Sequence, residues 1–267
     1  MSARFDSQGF LGLHSEITLA NARVGVVGVG GGGSHMIQQL AHIGVGTILV
    51  ADPDVVEDRN LNRLVGAGWW DVGAKAPKVA VAERMTAHIR RESRLLPFQV
   101  AWQEAASNLR ACHAIVGCVD SYRERDELEG FCRRFLIPYL DIGMDVFAFE
   151  RGFTVSGQVI LSLPGNPCLR CMGIVNDDLI GEEARRYGAA GSRPQVIWPN
   201  GVLASTAVGL LMQLLTPWDS RPIGSAYLEY DGNAHVVRPS QRLSAVATSS
   251  CLHYKLDEVG DPFFGRD

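Results

Sequence analysis

Arg23-Val24-Gly25-Val26-Val27-Gly28-Val29-Gly30-Gly31-Gly32-Gly33-Ser34 decides the fold. Its first seven residues are mostly valine and glycine, so they read as a strand buried on both faces of a parallel sheet. Gly28, Gly30 and Gly33 then match G-x-G-x-x-G, and residues 34–43 follow with helical spacing. Strand, glycine turn and helix in that order form the phosphate-binding corner of a Rossmann-like unit. The first glycine permits the tight turn, the second lets a phosphate approach the backbone, and the third lets helix and strand pack closely. The helix start adds free N–H groups and the positive end of a dipole. A run of four glycines is entropically costly in a folded chain, which argues against a turn that serves no ligand.

The same alternation continues outward. Residues 47–51 read as a second strand ending at Asp52, and residues 78–91 as an amphipathic helix with Val79, Ala82, Met85 and Ile89 on its apolar side. Residues 114–118 form a strand that ends at Val119-Asp120; residues 124–135 form a helix and residues 138–142 a short strand. After Gly143 the pattern changes, with residues 146–149 and 153–161 alternating like antiparallel strands. The polar stretch 176–193 reads as a mobile crossover loop. Residues 201–215 make a strongly apolar helix stopped by Pro217, and residues 227–237 a hairpin turning at Asp231-Gly232-Asn233. The expected fold is α/β: a Rossmann-like, mainly parallel sheet with helices on both faces, extended by antiparallel strands in the C-terminal half. No linker divides the chain, so a single domain over 1–267 is expected. It comprises an N-terminal helical segment (1–22), a nucleotide-binding part (23–143) and a C-terminal part (144–267).

Composition narrows the function classes. The chain has 267 residues, 46% hydrophobic and 20% charged, enough to bury a large core. A net charge of −4 gives no footing for nucleic acid, and the densest basic stretch, 84–94, is interrupted by Glu92. There is no run of eighteen apolar residues and no signal-peptide core, so no membrane is expected and the location reads as cytoplasmic. The six cysteines are then thiols or metal ligands by default.

The glycine loop alone most often means a nicotinamide dehydrogenase. Asp52, at the end of the second strand, suits a ribose in either case. The residues beyond Asp52 do not suit a nicotinamide: Asp54, Arg59, Asn60, Arg63 and Lys78 set polar and cationic groups beside the loop. Two arginines and a lysine suit a triphosphate, whose charge rises as pyrophosphate departs. Asp120 sits where an open α/β sheet binds ligands, and its carboxylate suits Mg²⁺. Each charge taken singly is a solvated surface residue; their combined placement carries the argument.

These pieces resemble the family that includes the ubiquitin-activating enzymes and the bacterial ThiF, MoeB and HesA adenylyltransferases. The resemblance rests on the glycine loop with Gly28, Gly30, Gly31 and Gly33, on Asp52-Pro53-Asp54, Asn60-Leu61-Asn62-Arg63 and Pro77-Lys78-Val79. It continues through Cys118-Val119-Asp120-Ser121, Cys168-Leu169-Arg170-Cys171 and Asn200-Gly201-Val202-Leu203-Ala204, nearly the whole chain. It implies that Asp52 binds the ATP ribose, that Asn60, Arg63 and Lys78 contact the phosphates, and that Asp120 ligates Mg²⁺. Arg63, Lys78 and Asp120 would be the catalytic set. The implied reaction joins a C-terminal carboxylate to the α-phosphate of ATP. The implied partner is a ubiquitin-like or sulfur-carrier protein ending in Gly-Gly, lying over the strands after Gly143, and the implied assembly is a homodimer. Two departures stand out. The N-terminal arginine that reaches across the dimer in relatives is replaced by Ser7, so that either Arg4 substitutes for it or the trans contact is missing. No cysteine lies between Met172 and Ser250, so the enzyme is read as having no thioester cysteine in its crossover loop. Alternatives are adenylation of a ribosomal peptide's C-terminus, a modified tRNA base, or a non-catalytic half of a heterodimeric activating enzyme. The tRNA branch lacks a knuckle like Cys168–Cys171.

Cys168 and Cys171, after a Pro-Gly-Asn-Pro turn, suit two ligands of tetrahedral zinc. Relatives complete the site with a second cysteine pair near the C-terminus, where this chain offers Cys251 and His253. A structural Cys₃His zinc is the expectation, with simple thiols as the alternative. His35 and His42, two turns apart on one helix, are too distant to share a metal. Trp69-Trp70 reads as a partner surface or a loop anchor.

Overall fold

The computed structural model describes residues 3–90, 92–186, 194–246 and 251–254, without the side chains of residues 3, 4 and 186. The expected role of Arg4 and the last part of the crossover loop, 187–193, therefore lie outside the described residues.

A 3₁₀ stretch, Ala3–Leu11, and helix α1 (Ser15–Asn21) lead into the glycine corner. This consists of β1 (Arg23–Val27), α2 (Gly31–Ile43) and β2 (Thr47–Ala51). A 3₁₀ turn (Asp58–Asn60), α3 (Trp69–Gly73) and α4 (Lys78–Ile89) precede β3 (Arg94–Phe98). Next come α5 (Ala106–Leu109), β4 (Ala114–Gly117), α6 (Tyr122–Arg134), β5 (Tyr139–Phe149) and β6 (Gly152–Ser162). The chain continues through helices α7 (Asp177–Arg186) and α8 (Ile197–Leu215), strands β7 (Ala226–Asp231) and β8 (Val236–Pro239), and α9 (Gln241–Val246).

All eight strands form one sheet in the order β3-β2-β1-β4-β5-β6-β7-β8. The first five in that order pair in parallel and the rest antiparallel, with β5 serving both halves. The α/β, mainly parallel architecture with an antiparallel extension is thus the one expected. The central strands are apolar throughout because they feed two cores alternately. Val24, Val26, Ile48, Val50 and Val116 point into one core, beneath α2, α4 and α8. Val27, Leu49, Ala51 and Ile115 point into the other, beneath α5 and α6.

Four details differ from the sequence reading. Helix α2 starts at Gly31, inside the glycine run expected to be a turn. Strand β5 runs unbroken through Gly143, over which the Arg125 guanidinium lies. Strand β3 has no counterpart in the sequence reading; it contains Pro97, which a sheet tolerates at its edge. The first part of the expected mobile loop is helix α7. Asn176 caps it by accepting the Leu179 N–H at 2.8 Å, and Asp177 and Asp178 favour its first turn. Among the described residues, α8 is the one helix long and apolar enough to cross a membrane, but Leu203, Ala204, Ala207 and Leu211 are buried in the core it shares with α2, β5 and β6.

A buried pair on α6 organises the far side of the sheet. Arg133 bonds Glu129 and donates to Ser162 Oγ at 2.7 Å and to the carbonyls of Asn166 and Pro167 at 3.0 and 3.2 Å. Glu129 accepts the Leu169 N–H at 3.1 Å, so α6 holds the loop that carries Cys168. Burial pushes the Glu129 carboxyl up, opposed by Arg133, Ser162 and the Leu169 N–H. Removing one partner strands the other charge in the interior. Glu129→Ala should therefore cost about 3–5 kcal/mol in urea unfolding, and a loss within measurement error would show that the pair does not anchor the loop.

Candidate active site

The order in which strands are added reverses between the parallel neighbours β1 and β4: β1 leads outward to β2 and β3, whereas β4 leads to β5 on the other side. Ligands of open α/β sheets bind in the crevice at such a point. Gly28 has φ 89°, and a Cβ there would stand 2.6 Å from the Cys118 carbonyl oxygen. At Gly33 a Cβ would stand 1.9 Å from the Gly28 carbonyl oxygen. Glycine at these positions lets the two strand ends and the start of α2 converge. A cavity of about 280 Å³ opens between them.

Gly28, Gly30, Gly31, Asp52, Asp54, Asn60, Arg63, Lys78 and Asp120 all line that cavity. Two expected members do not. Gly33 is a packing residue behind the loop, and Arg59 turns outward to pair with Glu57 on the exposed 3₁₀ turn. Asp52 is buried, and its two carboxylate oxygens accept the Val29 N–H at 2.6 Å and the Asp54 N–H at 2.8 Å. Burial pushes this carboxyl up, while nearby Lys78 and the two N–H donors pull it down. The buried Lys78 ammonium donates to Asp54 Oδ2 at 2.7 Å from the first turn of α4. Arg63 Nη1 donates to the Arg59 carbonyl at 2.7 Å and to Asn62 Oδ1 at 2.9 Å, which ties one edge of its guanidinium to the 3₁₀ turn. Asn60 accepts the Glu57 N–H at 2.8 Å and so shapes that turn.

Other cavity residues were not singled out from the sequence as site residues: Glu124, Arg125, Gln195 and Asn200. Burial pushes the Glu124 carboxyl up, with the charge of Asp120 adding to it. Arg125 is buried between the ends of β4 and β5, bonding the Val119 carbonyl and Asp141 at 3.3 Å. No periodicity signals such residues, since each owes its place to long-range pairing; only Asn200 belongs to a stretch already noted.

At the opposite end of α6 the structure brings Cys168, Cys171, Cys251 and His253 together, with all four ligand atoms within 4.8 Å of one another. Cys168 and Cys171 Sγ are 3.6 Å apart, Cys171 and Cys251 Sγ 3.7 Å, and His253 Nδ1 lies 3.4 Å from both Cys168 and Cys171 Sγ. A tetrahedron with Zn–S near 2.3 Å has edges of about 3.8 Å, so the four donors fit a closed zinc site. Tyr254, next along the chain, lies over the Arg133 guanidinium at 4.9 Å.

Sheet, glycine corner and acid-and-cation-lined crevice define a Rossmann-like fold with an antiparallel half fused to it. The chain belongs to the ThiF family, which matches residues 7–251. It is 30% identical over 217 residues to the molybdopterin-synthase adenylyltransferase of Salmonella typhimurium, covering 80% of each chain. To the SAMP-activating enzyme E1 of Haloferax volcanii it is 32% identical over 156 residues, 58% of this chain and 54% of that enzyme, so it spans about half that relative's length. Among solved structures, E. coli MccB with ATP superposes with a TM-score of 0.73 at 18% identity, over 90% of this chain and 71% of MccB.

The Cys/His geometry leads to a direct measurement. Purified protein should contain about one zinc per chain. Cys171→Ser should lose the metal and open the segment around Cys251 to protease, whereas metal-free protein with that segment still protected would retire the site.

Proposed function

We propose that this chain adenylates the C-terminal carboxylate of a ubiquitin-like or sulfur-carrier protein with ATP, releasing pyrophosphate. The observation that carries the reading is the convergence of the glycine loop, Arg63, Lys78 and Asp120 on one cavity at the switch point of the sheet. The triphosphate would lie along the glycine loop at the N-terminus of α2, where unpaired N–H groups donate to phosphate oxygens. Asp52 would take the ribose through the lone pairs its two backbone donors leave free. A substrate carboxylate oxygen attacks the α-phosphorus, the bond to the β-phosphate oxygen breaks, and pyrophosphate carries away the negative charge. The carboxylate is already ionised, so no general base is needed. Catalysis is then positioning and charge stabilisation, with Arg63 and Lys78 facing the leaving pyrophosphate. Asp120, an exposed carboxylate at the end of β4, fits Mg²⁺, which would neutralise phosphate oxygens when bound.

A protein partner is supported by the Salmonella relative, whose name concerns molybdopterin synthase and which matches at 80% coverage. Adenylation of a peptide's C-terminus is the second reading; the likeness to MccB, at 18% identity, supports it through the fold alone. A non-catalytic half is disfavoured by the intact set of cations and Asp120. The reading includes a homodimer, supported by the exposed Ile197, Trp198 and Val202 on α8, and transfer of the adenylated partner by another protein.

ATP–pyrophosphate exchange with Gly-Gly-ending carrier proteins tests the reading, and exchange that requires one of them is the expected result. Asp120→Ala should abolish exchange in a protein that still folds. Arg63→Ala should reduce the rate about 10²–10³-fold while weakening ATP binding far less. Equal losses in rate and binding would contradict its place at the leaving group.

A further inference from the structure

The segment beyond the Cys168–Cys171 knuckle returns to the cavity and grips it on both sides of Asp120. Gln195 Nε2 donates to Asp120 Oδ1 at 2.7 Å. Among the described residues this is the one side-chain hydrogen bond to that carboxylate. The Gln195 carbonyl accepts from Asn62 Nδ2 at 3.2 Å, so the residue spans from the Arg63 turn to the end of β4, across the cavity it lines. On the other side of Asp120, Glu183 of α7 accepts from Ser121 Oγ and the Tyr122 N–H, both at 2.9 Å. Its charge sits at the positive end of α6, which favours a carboxylate there. At its start α7 is held by Arg170, which bonds Asp177 at 2.8 Å and Asp126 of α6 at 2.7 Å.

The chemistry of these contacts is selective. A lysine or arginine on Asp120 would cancel the charge a metal ligand needs. The neutral Gln195 amide orients one oxygen and leaves both the negative charge and the other oxygen available. Glu183 touches neither Asp120 nor the cavity, but it fixes the first turn of α6 and hence the backbone on which Asp120 stands.

We propose that Gln195 and Glu183 are positioning residues that hold the Asp120 carboxylate, and the backbone beneath it, for magnesium binding. This rests on the adenylation reading, since it presumes ATP with Mg²⁺ in the cavity. Without the Gln195 contact the Asp120 carboxylate is free to rotate, and without the Glu183 contacts the first turn of α6 loosens. The site then holds metal poorly, although the glycine loop and Lys78 are untouched.

Calorimetric ATP binding with Mg²⁺ titrated, and again with EDTA, separates the metal contribution from the rest. Gln195→Ala should raise the half-saturating Mg²⁺ concentration about tenfold, the scale of a lost hydrogen bond to a charged group, with metal-free ATP affinity within about twofold. Gln195→Asn, one methylene too short to reach, should behave the same way. Glu183→Ala should raise the Mg²⁺ requirement as well and speed amide exchange at Tyr122 and Arg123. An unchanged Mg²⁺ requirement in the Gln195 variants, or equal losses with and without metal, would overturn the proposal while leaving the adenylation reading intact. Wild-type protein without Mg²⁺-dependent ATP binding would remove that reading and this inference with it.

Discussion

The site depends on one close approach. The Gly28 carbonyl occupies the space in which a side chain at Gly33 would begin, 1.9 Å from its Cβ position. Only this lets α2 start directly at the end of β1, with its N–H groups directed into the crevice. The same contact settles Val29, whose N–H reaches Asp52 across from the next strand. A carboxylate buried to that degree is disfavoured as an anion unless donors meet it, and Val29 and Asp54 provide them. The loop and the acid therefore order each other.

Charge around the cavity is unevenly matched. Asp52, Asp54, Asp120 and Glu124 face it from the acidic side, and Arg63, Arg125 and Lys78 from the basic side. Lys78 is committed to Asp54 and Arg125 to Asp141. A polyphosphate entering this space meets few uncommitted cations, which is why a divalent metal on Asp120 belongs to the proposed chemistry. The carboxylates become an asset only when such an ion is present.

The parallel half was legible in the sequence because its signals are local. Valine runs, the glycine turn and amphipathic spacing each fall within a dozen residues, and β1, β2, α4 and β4 lie where those signals put them, to within two residues at their ends. The Cys168, Cys171, Cys251 and His253 cluster was legible through Cys168 and Cys171 together with the family's C-terminal pair. The misses have tertiary causes. Pro97 is compatible with β3 only because that strand has a neighbour on one side. Helix α7 has few apolar residues; its cap Asn176, its acidic first turn and its anchor Arg170 sustain it. Sequence neighbours group Arg59 with the cavity, yet the 3₁₀ turn directs it outward and Arg63 inward. Gln195 and Glu183 carry no local signal, for their partners are 75 and 62 residues away.

The outer strands of the sheet shape how copies of this chain can meet. Strand β3 carries Pro97 at one margin, and β8 ends in Pro239 at the other, with exposed Arg94 and Arg238 beside them. Proline withholds an amide donor and arginine repels a like strand, so neither margin is a good template for adding a ninth strand from a neighbour. Strand-by-strand polymerisation is thereby discouraged in a sheet that is otherwise long and apolar. Association is left to helical faces, where side chains rather than backbone ladders determine which partner fits.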